Sequence, residues 1–186
     1  MQAKPPSPTS SNALRQRALR LLAQREHTQE ELRQKLEQIR SARAARTTSQ
    51  PSTHVPSEAP SDEVTRVIAE LASEGWQSDA RYAEALVRRL GNMVSRRYLA
   101  QKLAQLGIAR ETANAALATR ESSDAEVART LWERRFGRPP ASDKERARQI
   151  RFLLNRGFQL SEAFRIVPQV EAQNKKAAAA DVSGHS

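Results

Sequence analysis

Three glycines punctuate this chain in the same way. Gly75, Gly107 and Gly157 each close a stretch of helix-forming residues, and each is followed by a large apolar residue: Trp76, Ile108 or Phe158. A glycine just past a helix adopts the left-handed backbone that ends it, and the apolar residue behind it folds back onto the last turn. The pattern predicts helix, stop, hydrophobic latch and a fresh start. On that reading the ring of Trp76 belongs in the core. Ser78 or Asp79 caps the helix that follows.

The helices so punctuated repeat. Ala18, Leu21 and Leu22 share their spacing with Ala83, Leu86 and Val87, and again with Ala128, Leu131 and Trp132. Thr28, Leu32 and Leu36 match Ser95, Leu99 and Leu103. Thr28 with Glu31 three residues on forms a capping-box pattern. In the third unit Asp143 is the expected cap. Before Gly75, the residues Val64, Val67, Ile68 and Leu71 recur at helical spacing.

These echoes predict an all-α, elongated chain of three tandem three-helix repeats. Each unit is too small to bury a face alone and stacks on its neighbour. The expected repeats are 13–75, 76–121 and 122–171. Residues 1–12 are rich in Pro and Ser, and the tail at 172–186 lacks apolar anchors, so both are expected to be disordered. Residues 41–62 hold three prolines and read as a flexible insertion in the first repeat.

At this point the residues resemble a known family. "LASEGWQSDARYAEALV" is similar to the signature of the RecX family, bacterial regulatory proteins that modulate the RecA recombinase. The matching places are Leu71, Gly75, Trp76, Asp79, Arg81, Tyr82 and Ala83. "ALRLLAQREHTQEELRQKL" and "KERARQIRFLLNRGF" match as well, so the resemblance spans about 14–168. Two departures stand out. The family usually has a short glycine turn where this chain has its Pro/Ser insertion. It often has a further glycine and a basic run where this chain has "GNMVSRRYLAQKL", in which Arg96 and Arg97 keep the basic character. The resemblance implies a non-enzymatic regulator that lies in the groove of the RecA–DNA filament, and the lack of a signal-peptide pattern or apolar span leads to the expectation of a cytoplasmic protein. In that groove it would inhibit ATP hydrolysis, strand exchange and the SOS co-protease activity. The implied partners are the RecA filament and the single-stranded DNA within it, with the protein acting as a monomer.

The residues themselves point to no chemistry that would contradict this. With no cysteine, disulfides and thiolate metal sites are excluded. His27, His54 and His185 show no metal-ligand spacing. No Walker-type loop or Gly-x-Ser-x-Gly turn is present. Paired acids such as Glu30 and Glu31 suit a helix start. No catalytic site, metal or cofactor is therefore expected. The N-terminal stretch lacks the apolar core of a signal peptide, and no apolar run approaches the roughly 18 residues of a membrane span.

Charge supplies the candidates for binding. The net charge is +10, and arginine accounts for 25 of the 31 basic residues. Arginine suits bidentate contact with phosphate or carboxylate, although a GC-rich genome gives the same bias. Between Arg129 and Arg156 there are nine basic and three acidic residues. On a helix starting near Lys144, the residues Ala147, Ile150, Leu153 and Leu154 form the expected apolar face, with Lys144, Arg148, Arg151 and Arg156 opposite. Phe152 falls among these cations, where it either stacks on a base or packs on a neighbouring helix. Arg81 and Arg88 share a second face, beside Glu84. Arg96 and Arg97 add a short basic run. Arg134, Arg135 and Arg138 cluster where the preceding helix ends, and are candidates either for binding or for satisfying helix carbonyls. Two further readings stay open: a nucleic-acid-binding module independent of RecA, and a helical scaffold for another acidic protein.

Overall fold

The computed structural model describes residues 8–47 and 62–170. Among these residues the only regular elements are helices, so the fold is all-α. In chain order they are α1 (Pro8–Gln24), α2 (Gln29–Thr47), α3 (Asp62–Ser73), α4 (Asp79–Leu90), α5 (Arg96–Gln105), α6 (Arg110–Ala118), α7 (Asp124–Arg135), α8 (Asp143–Leu154) and α9 (Leu160–Ile166). The described residues divide into two compact units, one within 1–83 and 104–112, the other within 84–103 and 113–186.

Two ends differ from expectation. Helix α1 begins at Pro8, inside the stretch expected to be disordered. Proline suits a first turn, because its fixed φ is helical and its missing N–H has no helical partner there anyway. Helix α2 continues to Thr47, past the expected start of the insertion. The segment "SARAAR" is rich in Ala and Arg, both good helix formers, which favours continuation of the helix. The remainder of the insertion, 48–61, lies outside the described residues, as do residues 1–7 and 171–186.

The first unit is a three-helix core. Leu14 and Ala18 of α1, Leu32 and Leu36 of α2, and Val64, Val67, Ile68 and Leu71 of α3 are buried together. Thr28 caps α2 as expected: its Oγ1 accepts from the Glu31 amide at 3.1 Å. The same hydroxyl donates to the carbonyl of Leu106, at 3.0 Å. Asp79 does not cap its own helix; Ser78 does, accepting from the Arg81 amide at 3.2 Å. Asp79 instead accepts the Gln29 amide at 3.0 Å, capping the first turn of α2 through space. The buried Gln77 holds this carboxylate in place, donating to it at 2.8 Å and to the His27 carbonyl at 3.2 Å.

The three glycines have the predicted backbone, with φ of +78° at Gly75, +75° at Gly107 and +84° at Gly157. At Gly75 the Gly75 amide donates to Ala72 and the Trp76 amide to Leu71, which is the Schellman pairing. Ile108 and Phe158 are buried behind their glycines. Trp76 is not. Its ring is 56% exposed, which corrects the expectation of a core position. The backbone latch closes without it, and the inward place is taken by Gln77, whose amide also donates to the Leu71 carbonyl at 3.2 Å. Trp76→Ala should therefore shift stability by less than about 1 kcal/mol, in the range of exposed substitutions. A urea midpoint displaced by the several kcal/mol of a buried aromatic would contradict that burial.

His27 is buried at the start of α2, with Nδ1 3.2 Å from a Glu31 carboxylate oxygen. Burial pushes its pKa below the ordinary value, against the opposing pull of Glu31. The unfolded chain takes up a proton below about pH 6.5 that the folded chain resists. Stability should fall as pH drops from about 7 toward 5. His27→Gln should flatten that slope in thermal melts, and an unchanged slope would show that other groups set it.

In the second unit, α7, α8 and α9 enclose a core of Val127, Ala128, Ile150, Leu153, Phe158, Ala163 and Val167. Ser123 caps α7 in a reciprocal capping box with Glu126. Ser142 caps α8, in place of the expected Asp143. Serine can sit one residue earlier and still reach the third amide of the turn, here Glu145 at 3.2 Å. The buried face of α8 also differs from expectation. Ala147 and Leu154 are exposed, while Gln149 is fully buried beside Ile150 and Leu153. Gln149 is admitted because its Oε1 accepts the indole N–H of Trp132 at 2.8 Å.

Candidate binding surface

The arginine ion pairs gather in the first unit. There, Arg15 pairs with Glu74, Arg25 with Glu31, Arg33 with Glu30, Arg40 with Glu37, Arg66 with Glu70 and Arg81 with Glu26. Among the described residues, none of the nine basic residues from Arg129 to Arg156 has a salt bridge. A carboxylate partner already satisfies a surface guanidinium, whereas an unpaired cluster is open to phosphate or to another protein's acids.

Two of the nine are held by their own fold. Arg146 donates Nε–H to the Pro168 carbonyl at 3.0 Å. Arg156 donates to the Phe152 carbonyl at 3.0 Å and lies over the Phe152 ring, 3.8 Å from its centroid. Arg156 therefore does not belong to the exposed basic face on which the sequence placed it. It follows α8, where the chain turns back toward the core. Phe152 is half-buried, packed on the unit's core and edge-on to Phe136 at 5.3 Å. Between its two expected roles, this geometry is the packing one.

Lys144, Arg148 and Arg151 remain on one exposed face of α8, within about 60° of one another around the axis at 100° per residue. Arg134, Arg135 and Arg138 are exposed around the end of α7. Among the described residues they make no hydrogen bond to helix carbonyls, and the C-cap of α7 is the backbone amide of Phe136. Arg134 lines a cleft of about 230 Å³ with Asn92, Ser122 and Glu126.

The remaining candidates divide. Arg81 is a clamp: it pairs with Glu26 and donates to the carbonyls of Gly75 and Trp76 at 3.1 and 3.0 Å, satisfying the end of α3. Its partner is Glu26 and not the neighbouring Glu84. Arg96 closes α6 in the same manner, donating to Leu117 at 2.9 Å and Arg120 at 3.4 Å. Arg97 and Arg88 are exposed, and Arg88 lines a cleft of about 430 Å³ with Glu84, Asn92, Arg120 and Glu121. Two carboxylates in that cleft offset its cations. Sequence reasoning missed Arg120, which is buried and paired to Asp124 at 2.6 Å. The only local signal was the i, i+4 spacing of the two charges. Among the described residues, no cluster of three or more His, Asp or Glu side chains could hold a metal. Among them, too, no helix is long and apolar enough to cross a membrane.

Comparison with known proteins gives this surface its context. Residues 78–117 match the second three-helix domain of RecX, and 122–167 match the third. The chain is 36% identical to Regulatory protein RecX of Ralstonia pickettii over 87% of its own length and 91% of the relative's. The chain belongs to the RecX family. A second RecX, from Ralstonia nicotianae, is 34% identical over 89% of this chain and 92% of its own. The crystal structure of RecX from Lactobacillus salivarius superposes with a TM-score of 0.62 at 20% identity, covering 86% of this chain and 96% of that one. The RecX fold is thus shared at low identity. The relatives are named as regulatory proteins, so the family is one of regulators.

Proposed function

We propose that this chain regulates a RecA recombinase by lying in the groove of the RecA–DNA filament, where it inhibits ATP hydrolysis, strand exchange and SOS co-protease activity. The observation that carries the reading is the unneutralised face of Lys144, Arg148 and Arg151, in contrast to the arginines paired with carboxylates in the first unit. Membership of the RecX family supports RecA as the partner, and the face suits a groove lined by phosphates and acidic side chains. Inhibition then follows from geometry. A helical chain bridging adjacent protomers restrains the motion that hydrolysis requires, and it fills the space through which duplex DNA or a repressor would enter. No catalytic group takes part. The protein acts as a monomer, in the cytoplasm, where RecA is. The proposed organisation is three repeats, 13–75, 76–121 and 122–171.

The test is RecA ATPase on single-stranded DNA with and without the chain, beside its affinity for naked and RecA-coated DNA. Inhibition with preference for the coated strand supports the reading. Equal affinity for naked DNA without inhibition would give the nucleic-acid module independent of RecA, and neither effect would leave the acidic scaffold. The variant Arg148→Glu with Arg151→Glu should weaken filament binding at least about tenfold while leaving circular dichroism unchanged, because exposed charge swaps alter stability by about 0.5 kcal/mol or less. If these arginines meet DNA, the log–log salt slope should drop by roughly 0.7 per lost single-strand phosphate contact. Full inhibition by the double variant at limiting concentration would move the contact elsewhere.

A further inference from the structure

Beside the basic face, α8 and α9 leave a groove of about 380 Å³, within the size range of ligand clefts, roughly 300–1,000 Å³. Its floor is apolar: Ala147, Ile150, Leu154 and Phe164. Leu154 is 37% exposed and Phe164 46%, although both are large apolar side chains. Leu160, one turn before Phe164 on α9, is also exposed and extends the stripe. The rim is cationic. Arg146 and Arg151 line it, against the single carboxylate of Asp143, and Lys144 and Arg148 stand next to it on α8. Arg146 is fixed there by its bond to Pro168, with its guanidinium 5.2 Å from the centre of the Phe164 ring.

We propose that this groove receives an acidic segment of another protein, seated by an aliphatic side chain against Leu154 and Phe164, with its carboxylates on Arg146 and Arg151. Three observations select that occupant. Arg146 already covers one face of the Phe164 ring, which leaves that ring a poor platform for a nucleobase. The chain's own sequence beyond Val170 balances Lys175 and Lys176 against Glu171 and Asp181, so it offers no excess of acid to complement a cationic rim. A second copy carries the same net charge of +10 and the same unpaired arginines. An apolar anchor framed by charge pairs is the usual form of a small protein–protein hot spot. The assignment does not depend on RecA being the protein that supplies the segment.

The experiment uses the full chain and fluorescence anisotropy with three labelled probes: the peptide Glu-Asp-Leu-Glu-Leu-Asp-Glu, the same peptide with both leucines replaced by serine, and an oligothymidylate. The leucine peptide should bind at least about tenfold tighter than the serine peptide, the difference that about 1.4 kcal/mol of anchoring gives. Phe164→Ser and Leu154→Ser should each remove most of that advantage and leave the oligothymidylate affinity within about twofold, since neither replaces a phosphate-binding cation. Both positions are exposed, so circular dichroism should report an intact fold. Arg151→Glu gives a second arm, weakening both peptides together. Equal binding of the two peptides, or retention of the leucine advantage in the serine variants, overturns the proposal. A parallel loss of oligothymidylate binding in Phe164→Ser would make the ring a nucleobase platform and overturn it too. Self-association of the wild-type chain that Phe164→Ser abolishes would assign the groove to a second copy instead.

Discussion

Asp124→Ala is expected to cost about 3 kcal/mol of folding stability, because it strands a buried cation. The Arg120 guanidinium is almost wholly enclosed, with its side chain 3% exposed, and Nη1 is 2.6 Å from Asp124 Oδ1. Its Nε and Nη2 have no hydrogen-bond partner among the described residues. Asp124 also accepts the amide of Arg96 at 2.8 Å, which caps the start of α5. Removing the carboxylate therefore leaves a charge without a counter-ion and the Arg96 amide without its acceptor. The carboxylate is partly exposed, which keeps the expectation at the lower end of the range for broken buried pairs. Asp124→Asn keeps an acceptor and loses the charge, so it should fall between wild type and alanine. Arg120→Met, which removes the charge but fills the space, should cost less than Asp124→Ala. Urea denaturation of the three variants checks the order; a cost below about 1 kcal/mol for Asp124→Ala would mean that water reaches the guanidinium.

The second large effect is at Gly157. Gly75 and Gly157 share the same backbone but not the same surroundings. A Cβ on Gly75 would meet nothing within 4 Å. On Gly157 it would lie 2.6 Å from Ser95 Oγ and 2.8 Å from Tyr98 Cβ, with the Tyr98 Cα at 3.5 Å. The end of α8 is pressed onto the start of α5 here, where the Ser95 amide donates to the Arg156 carbonyl at 2.9 Å. Gly75→Ala should cost only the left-handed penalty, about 1–2 kcal/mol. Gly157→Ala carries that penalty plus overpacking, for a total of about 3 kcal/mol or more. Equal losses at the two positions, measured side by side, would show that α5 yields to the added methyl group.

These contrasts show what the sequence could carry. The helix stops at Gly75, Gly107 and Gly157 were legible because the constraint is local: only glycine takes that φ cheaply. The caps at Thr28 and Ser78 were legible for the same reason. The exposure of Trp76 was not, because an apolar residue behind a helix stop is drawn inward only if space is left there, and Gln77 fills it. The face of α8 was misplaced at Ala147, Gln149 and Leu154, since the hydrogen bond to Trp132 that admits Gln149 joins it to a residue 17 positions away. At the candidate surface, local sequence identified the cations but not their partners. Arg81 and Arg156 looked like Arg148 and Arg151 until Glu26 and Phe152 were placed beside them. The excess of arginine between Arg129 and Arg156 was visible; which of them are free is a property of three dimensions.

The cap on α2 has a consequence for how the chain is made. The acceptor for the Gln29 amide is 50 residues downstream at Asp79, and the acceptor for the Thr28 hydroxyl is 78 residues downstream at Leu106. On a ribosome, α1 and α2 emerge long before either. The first turn of α2 stays incomplete until the beginning of α4 has left the exit tunnel, and its hydroxyl stays unpaired until the end of α5 has followed. Synthesis runs from α1 toward α9, but the capping of α2 is completed only by residues of later helices.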